Sequence, residues 1–238
     1  NEFVSEPAWF KRLFGDSLSQ VQIVLVEPQL HVHPRITENT ATVDFQDVKV
    51  VQAAVATSGS SQFPNMWWYE SECLDKVVAR FDEPERDRIK EGASMWVTFD
   101  KRRLKGFVRH FHMQKFLKRS KMSQTAWQQF CSDMFDCIKP MAVPTLTVPQ
   151  LLEASGLEAK AVDLLVVDAE GFDIPIIEAF LEVSDFRPIM LQWEWTGFMN
   201  CCGARQLLDL MSNVSQRGYD VHQDHQDFVG LGDFQSLV

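Results

Sequence analysis

Apolar positions change their spacing several times along the chain, and each change predicts a different element. Trp9, Phe10, Leu13 and Phe14 recur at helical spacing behind Ser5-Glu6-Pro7, a helix start with a capping serine, an early acid and an early proline. After Gly15-Asp16-Ser17 the run Val21-Gln22-Ile23-Val24-Leu25-Val26 is dense in β-branched residues and reads as a buried strand, stopped by Glu27-Pro28. A helix follows Pro34, and Val48-Lys49-Val50-Val51 forms the next strand, closing on Ala53-Ala54-Val55-Ala56. From Phe63 to Met141 the rhythm is lost: Trp, Phe, Met and charged residues mix, with candidate helices at 74–81, 104–117 and 127–138. The α/β rhythm resumes at Pro144. Thr147 caps a short helix carrying Leu151 and Leu152, and Gly156 ends it. Val162 to Asp168 is a strand with an acid at its end, 174–181 a helix, and 189–194 the next strand. A helix over 205–216 ends at Gly218, and two short strands, 219–222 and 228–231, complete the pattern.

Strands alternating with helices predict an α/β fold with a mostly parallel sheet and crossover helices. The last two strands are too closely linked for a crossover and predict an antiparallel hairpin at the C-terminal end. Residues 1–238 therefore read as one domain, with 63–141 a helical insertion or lid outside the sheet. Within it, the Trp67-Trp68-Tyr69 cluster reads as lid core in preference to a stacking platform.

Composition narrows the picture only a little. A hydrophobic content of 45% supports a full core, and the longest aliphatic run falls far short of the roughly 20 residues a membrane-spanning helix needs. The net charge of −10, from 23 basic and 33 acidic residues, disfavours nucleic acid as a partner. The charge is uneven: residues 101–121 hold nine Lys and Arg and no acid. That stretch reads as a solvated face or a contact for a protein partner, with an anionic ligand or nucleic acid as the alternative. The five cysteines, Cys73, Cys131, Cys137, Cys201 and Cys202, are odd in number and imply no disulfide framework. Reduced thiols, in a compartment such as the cytoplasm or an organelle interior, are the expectation. The chain starts at Asn1 with no signal peptide legible, which predicts an upstream segment removed or a start inside a longer chain.

In an open parallel sheet, ligands bind beyond the carboxyl ends of the strands, so the chemistry is sought there. Those ends carry Glu27, Ala53-Ala54, Asp168 with Glu170, and Glu194. A carboxylate such as Glu27 can accept both hydrogens of a ribose diol; it can equally cap a helix or meet solvent. Asp168, Glu170 and Asp173, around Gly171, form the densest constellation. They could orient a hydroxyl, act as a base or bind a divalent cation; alternatively Asp173 caps the next helix and Glu170 steadies the turn. His31 with His33, and His110 with His112, have the alternation of a metal pair but no further ligands placed by the pattern, so no metal site is predicted.

Four segments in series resemble one family. VPTLTVPQLLEASGLEAKAVDLLVVDAEGFDIPIIEAF, Val143 to Phe180, is similar to the signature of FkbM-type methyltransferases, in which a "TLD-x-LL" helix start leads to a strand ending "D-x-EG-x-E/D". The residues that carry it are Thr145-Leu146-Thr147, Leu151-Leu152, Asp168, Glu170, Gly171 and Asp173. IVLVEPQ (Ile23 to Gln29), VKVVQAAVATSGSSQF (Val48 to Phe63) and RPIMLQWEW (Arg187 to Trp195) resemble the family's neighbouring strands, in the right order. The resemblance implies a Rossmann-like class I methyltransferase fold and transfer of a methyl group from S-adenosylmethionine, commonly to an oxygen of a small molecule or sugar. A non-catalytic subunit on the same fold is the alternative. Carried over, Glu27 would hold the cofactor's ribose, Ala53 and Ala54 would line the adenine pocket, and Asp168 would lie beside the donor methyl. Glu170 and Glu194 would face the substrate. The family's first strand and "D-x-G-A-N-x-G" loop would precede Pro7, where only Asn1-Glu2-Phe3-Val4 stands, so the resemblance implies an N-terminally incomplete domain.

Overall fold

The computed structural model describes residues 15–57, 65–95, 97–106, 108, 122–169, 171–194, 203–224 and 227–231. The expected helix at Ser5 to Phe14, His110, His112, Glu170, Cys201, Cys202 and most of the basic stretch lie outside them. The chain divides into two compact units, Asn1–Ser60 with Val143–Val238, and Ser61–Ala142.

In the first unit, β1 (Gln22–Val26) and β2 (Asp47–Val51) pair in parallel, Ile23 opposite Val48 and Leu25 opposite Val50. The Glu27 N–H continues the ladder by donating to the Val51 carbonyl at 3.1 Å, and Pro28, which has no N–H, ends it. The crossover carries α1 (His33–Thr40), with Pro34 in its first turn. Two short strands, β3 (Ala54–Val55) and β6 (Thr145–Leu146), also pair in parallel. Next comes α5 (Val148–Ser155), opened by a capping box in which the Gln150 N–H donates to the Thr147 hydroxyl and the Thr147 N–H to Gln150 Oε1. Gly156 ends it at φ 74°, a left-handed conformation that glycine adopts without steric cost.

A four-stranded sheet completes this unit. Strand β7 (Leu164–Val167) leads to α6 (Asp173–Leu181) and then to β8 (Met190–Glu194), parallel to β7 with Val167 opposite Trp193. Helix α7 (Ala204–Gln216) precedes the hairpin of β9 (Asp220–Asp224) and β10 (Asp227–Leu231). The order is β7-β8-β10-β9, with β10 antiparallel to both neighbours. Its helices press Ile174, Ile177, Leu210 and Val214 onto Leu191 and Trp193, all 1% exposed or less, and Val26, Val51 and Val55 pack against the same cluster. One apolar core thus underlies β1, β2, β7 and β8.

The second unit has more sheet than its sequence predicts. Strands β4 (Asn65–Tyr69) and β5 (Ile138–Ala142) pair antiparallel, Tyr69 opposite Ile138, so Trp67-Trp68-Tyr69 is a strand. Pro140 argues against a strand in sequence; it is tolerated because β5 is an edge strand, paired with β4 on one side. Between them lie α2 (Ser71–Val78), α3 (Glu83–Met95), a helical stretch over 101–106, and α4 (Gln124–Asp136). The expectation of reduced thiols fails here: Cys73 and Cys137 form a disulfide, and Cys131 is a buried cysteine outside that bond.

The α/β expectation holds, as does the C-terminal hairpin. Parallel pairing does not dominate among the described residues. Among the described residues the strands make four small sheets, with three parallel and three antiparallel pairings. No helix among them is long and apolar enough to cross a membrane.

Candidate functional site

Two groups of candidate residues emerge, one at the carboxyl end of β7–β8 and one at the end of β1–β2. At the first, the chain leaves β7 through exposed Asp168, turns at Gly171 and enters α6 at Asp173. Gly171 has φ 95°, where a side chain would be strained, which is why the turn is built on glycine. The turn folds back over Asp173, whose side chain is only 1% exposed. Its Oδ1 accepts the Ala169 N–H at 3.4 Å and the Glu194 N–H at 3.3 Å, and its Oδ2 accepts the Gly171 N–H at 3.1 Å. One buried carboxylate therefore ties the exit of β7 to the exit of β8. Asp168 and Glu194, each adjacent in sequence or directly bonded to that tie, stand on the same rim.

Burial is the dominant influence on Asp173. Loss of hydration, with the nearby charge of Asp168 second, pushes its carboxyl up to about 7, although backbone N–H donors, its own and those of Ala169 and Gly171, pull the other way. A group that titrates near neutrality inside a rim of strand ends is a marker of functional sites.

At the second group, Glu27 follows β1 and turns inward, 8% exposed. Its Oε1 accepts the Gln29 N–H at 2.7 Å, and its backbone carbonyl accepts from His33 Nε2 at 2.8 Å, which makes Nε2 the protonated ring nitrogen. Gln29 is itself buried, and its Oε1 has no hydrogen-bond partner. An unmet acceptor beside a buried carboxylate costs about 1–3 kcal/mol and calls for a donor. Ala53 and Ala54 are 1% and 5% exposed after β2, and the Ala54 N–H donates to the Pro144 carbonyl at 2.8 Å. Their small side chains leave the backbone close to whatever lies at that end.

The model of the FkbM methyltransferase domain matches residues 20–221, which include both groups. The chain belongs to the FkbM methyltransferase family. No curated protein and no solved structure matches it. Membership makes this a methyltransferase domain and agrees with the resemblance carried by IVLVEPQ, VKVVQAAV and VDLLVVDAEGFD.

Within the FkbM domain, the residues expected from sequence divide unevenly. Asp168 and Glu194 are brought to one rim, Glu27 is buried at β1, the two alanines are buried at β2, and Glu170 is outside the described residues. His33 is engaged with Glu27, not paired with His31 as a metal ligand would be. Two residues gain importance over the sequence reading. Asp173 had a signal, its place in D-x-E-G-x-D. Gln29 had none, because an orphaned amide oxygen is visible only once burial is known.

Proposed function

We propose that this FkbM domain is an S-adenosylmethionine-dependent methyltransferase of Rossmann-like class I architecture, acting on a hydroxyl of a small molecule or sugar, with residues 63–141 inserted into that fold. The observation that carries the cofactor reading is the pair of acceptors at the end of β1. Glu27 is a buried carboxylate with Oε1 already satisfied by Gln29, and Gln29 Oε1 is buried with no donor. A ribose diol offers hydroxyl donors, so the residues fit the group. Parallel pairing of β1 with β2 and of β7 with β8, and the antiparallel β10 beside β8, support the architecture.

When bound, S-adenosylmethionine supplies an activated methyl group, so the chain's own residues have two remaining tasks. They must align the acceptor oxygen and take its proton. Asp168, exposed at the rim, and Glu170, two positions on in the sequence, have the chemistry of a base or orienting group, and Glu194 across the same rim from Asp168 has that of a substrate contact. Ala53 and Ala54 offer a small, apolar lining to an aromatic base.

Titration calorimetry of the full-length protein with S-adenosylmethionine tests this reading. We expect binding on the order of micromolar, about −8 kcal/mol, weakened about tenfold or more in Glu27→Ala. Absence of binding would overturn the reading in favour of a non-catalytic module on the same fold. Asp168→Asn should lower turnover about a hundredfold or more with the circular dichroism spectrum unchanged; undiminished turnover would remove Asp168 from the chemistry.

A further inference from the structure

We propose that Asp173 is the positioning residue of this site, a carboxylate strung between the ends of β7 and β8 that links the charge beside Asp168 to the placement of Glu194. The inference rests on the methyltransferase reading for its ligand and on the hydrogen bonds for its geometry. Asp173 accepts from Ala169, the residue after Asp168, and from Glu194 with the same oxygen, Oδ1, while Oδ2 holds the Gly171 turn. Movement of one strand exit is therefore passed to the other through a single atom. The ionised carboxylate accepts the Ala169, Gly171 and Glu194 N–H groups, and a proton on either oxygen would compete with them for its lone pairs. The tie is tight when Asp173 is ionised and slack when it is neutral.

What decides the ionisation is local. Of the elements packed against α6, β7 brings Asp168 and β8 brings Glu194; α7 carries Arg205 and Asp209, and Asp209 acts further along, on Glu178. Burial raises Asp173 most, and Asp168 is the charge that adds to it. A cation placed against Asp168 offsets that charge, favours ionised Asp173 and tightens the tie. The sulfonium of S-adenosylmethionine is such a cation; S-adenosylhomocysteine, the thioether product, is not. Loading with the methyl donor would then release a proton and draw the Glu194 strand end into register, and loss of the methyl group would relax both.

Two measurements on the full-length protein test this. In the ligand-free protein, the amide NMR signals of Ala169, Gly171 and Glu194 should move together with one midpoint near neutral pH, and this shared titration should vanish in Asp173→Asn. Independent midpoints, or the same titration in the variant, would overturn the tie. In calorimetry near pH 7, run in buffers of low and high ionisation enthalpy, S-adenosylmethionine should release up to about half a proton, S-adenosylhomocysteine markedly less. Asp173→Asn should erase the difference. Binding of both ligands with equal proton release overturns the coupling while the methyltransferase reading stands. Binding of neither overturns that reading and the coupling with it, and the amide titration alone then decides the tie.

Discussion

Asp173 shows how far burial can outweigh hydrogen bonding at one residue. Backbone N–H donors, its own and those of Ala169 and Gly171, favour the charged form, yet the carboxyl is raised from 3.8 to about 7, chiefly because almost no water reaches it. The consequence for stability has a definite sign. A carboxyl that holds its proton more tightly in the folded state than in the unfolded one stabilises the fold at low pH, and that contribution is lost as pH rises through the folded value. Between about pH 4 and 7 the folded protein should therefore lose up to roughly 4 kcal/mol from this group. Asp173→Asn cannot titrate, so chemical denaturation across that window should give a flatter stability profile than wild type. Parallel profiles would mean that Asp173 is better hydrated than its surroundings indicate. Asp168 and Glu27 were legible in sequence because each directly follows a dense apolar run. The depth of Asp173 was not, since its burial depends on the Gly171 turn folding over it and on β8 arriving alongside.

Elements formed where local preference and core packing agree. Helix α5 is the clearest case, with Thr147 and Gln150 satisfying each other's backbone donors at one end and Gly156 turning left-handed at the other. Thr147→Ala should cost about 1 kcal/mol in denaturant unfolding, with Thr147→Ser recovering most of it; equal stability of Thr147→Ala and wild type would mean the cap contributes nothing. The same agreement made β1 and β7 readable, as runs of Val, Ile and Leu that end on Glu27 and Asp168, and β8 readable as an apolar stretch that ends on Glu194. Helix α3 was not readable. Its sequence EPERDRIKEGASM is dominated by charged residues, and Ile89 and Ala93, at 0% and 1% exposure, are four positions apart without a continuous apolar stripe between them. Strand β5 was hidden by Pro140, and β4 by aromatic residues that suit a helix core equally well. Sheet order was beyond reach for a different reason. Which strand bonds to which depends on partners far away in the chain, and a hydrophobic run carries the strand but not its neighbour.

At the scale of the whole molecule, the least foreseeable feature is the bond between Cys73 and Cys137. An odd count of five cysteines gave no pairing rule. The pairing follows from the antiparallel pairing of β4 with β5: Tyr69 lies opposite Ile138, the Glu70 N–H donates to the Cys137 carbonyl at 2.9 Å, and Cys73 stands in the first turn of α2 just beyond. Once β4 and β5 pair, the two sulfurs are neighbours although they are 64 residues apart. The bond therefore encloses most of the unit formed by Ser61–Ala142. Closing a loop of that length removes unfolded-state freedom equivalent to about 4 kcal/mol, a large share of what a unit of this size can possess. That contribution belongs to one unit and not the other, which makes it separable by experiment. Hydrogen exchange followed under oxidising and reducing conditions, or in Cys73→Ser/Cys137→Ser, should show protection falling in β4, β5, α2 and α4. Protection in α5, α6 and β8 should hold, because their core of Ile174, Ile177, Leu191 and Trp193 contains no residue of the enclosed loop. Unchanged protection in β4 and β5 on reduction would mean that the apolar packing of Leu74, Val78, Phe130 and Met134 already fixes that unit, with the disulfide following the fold instead of holding it.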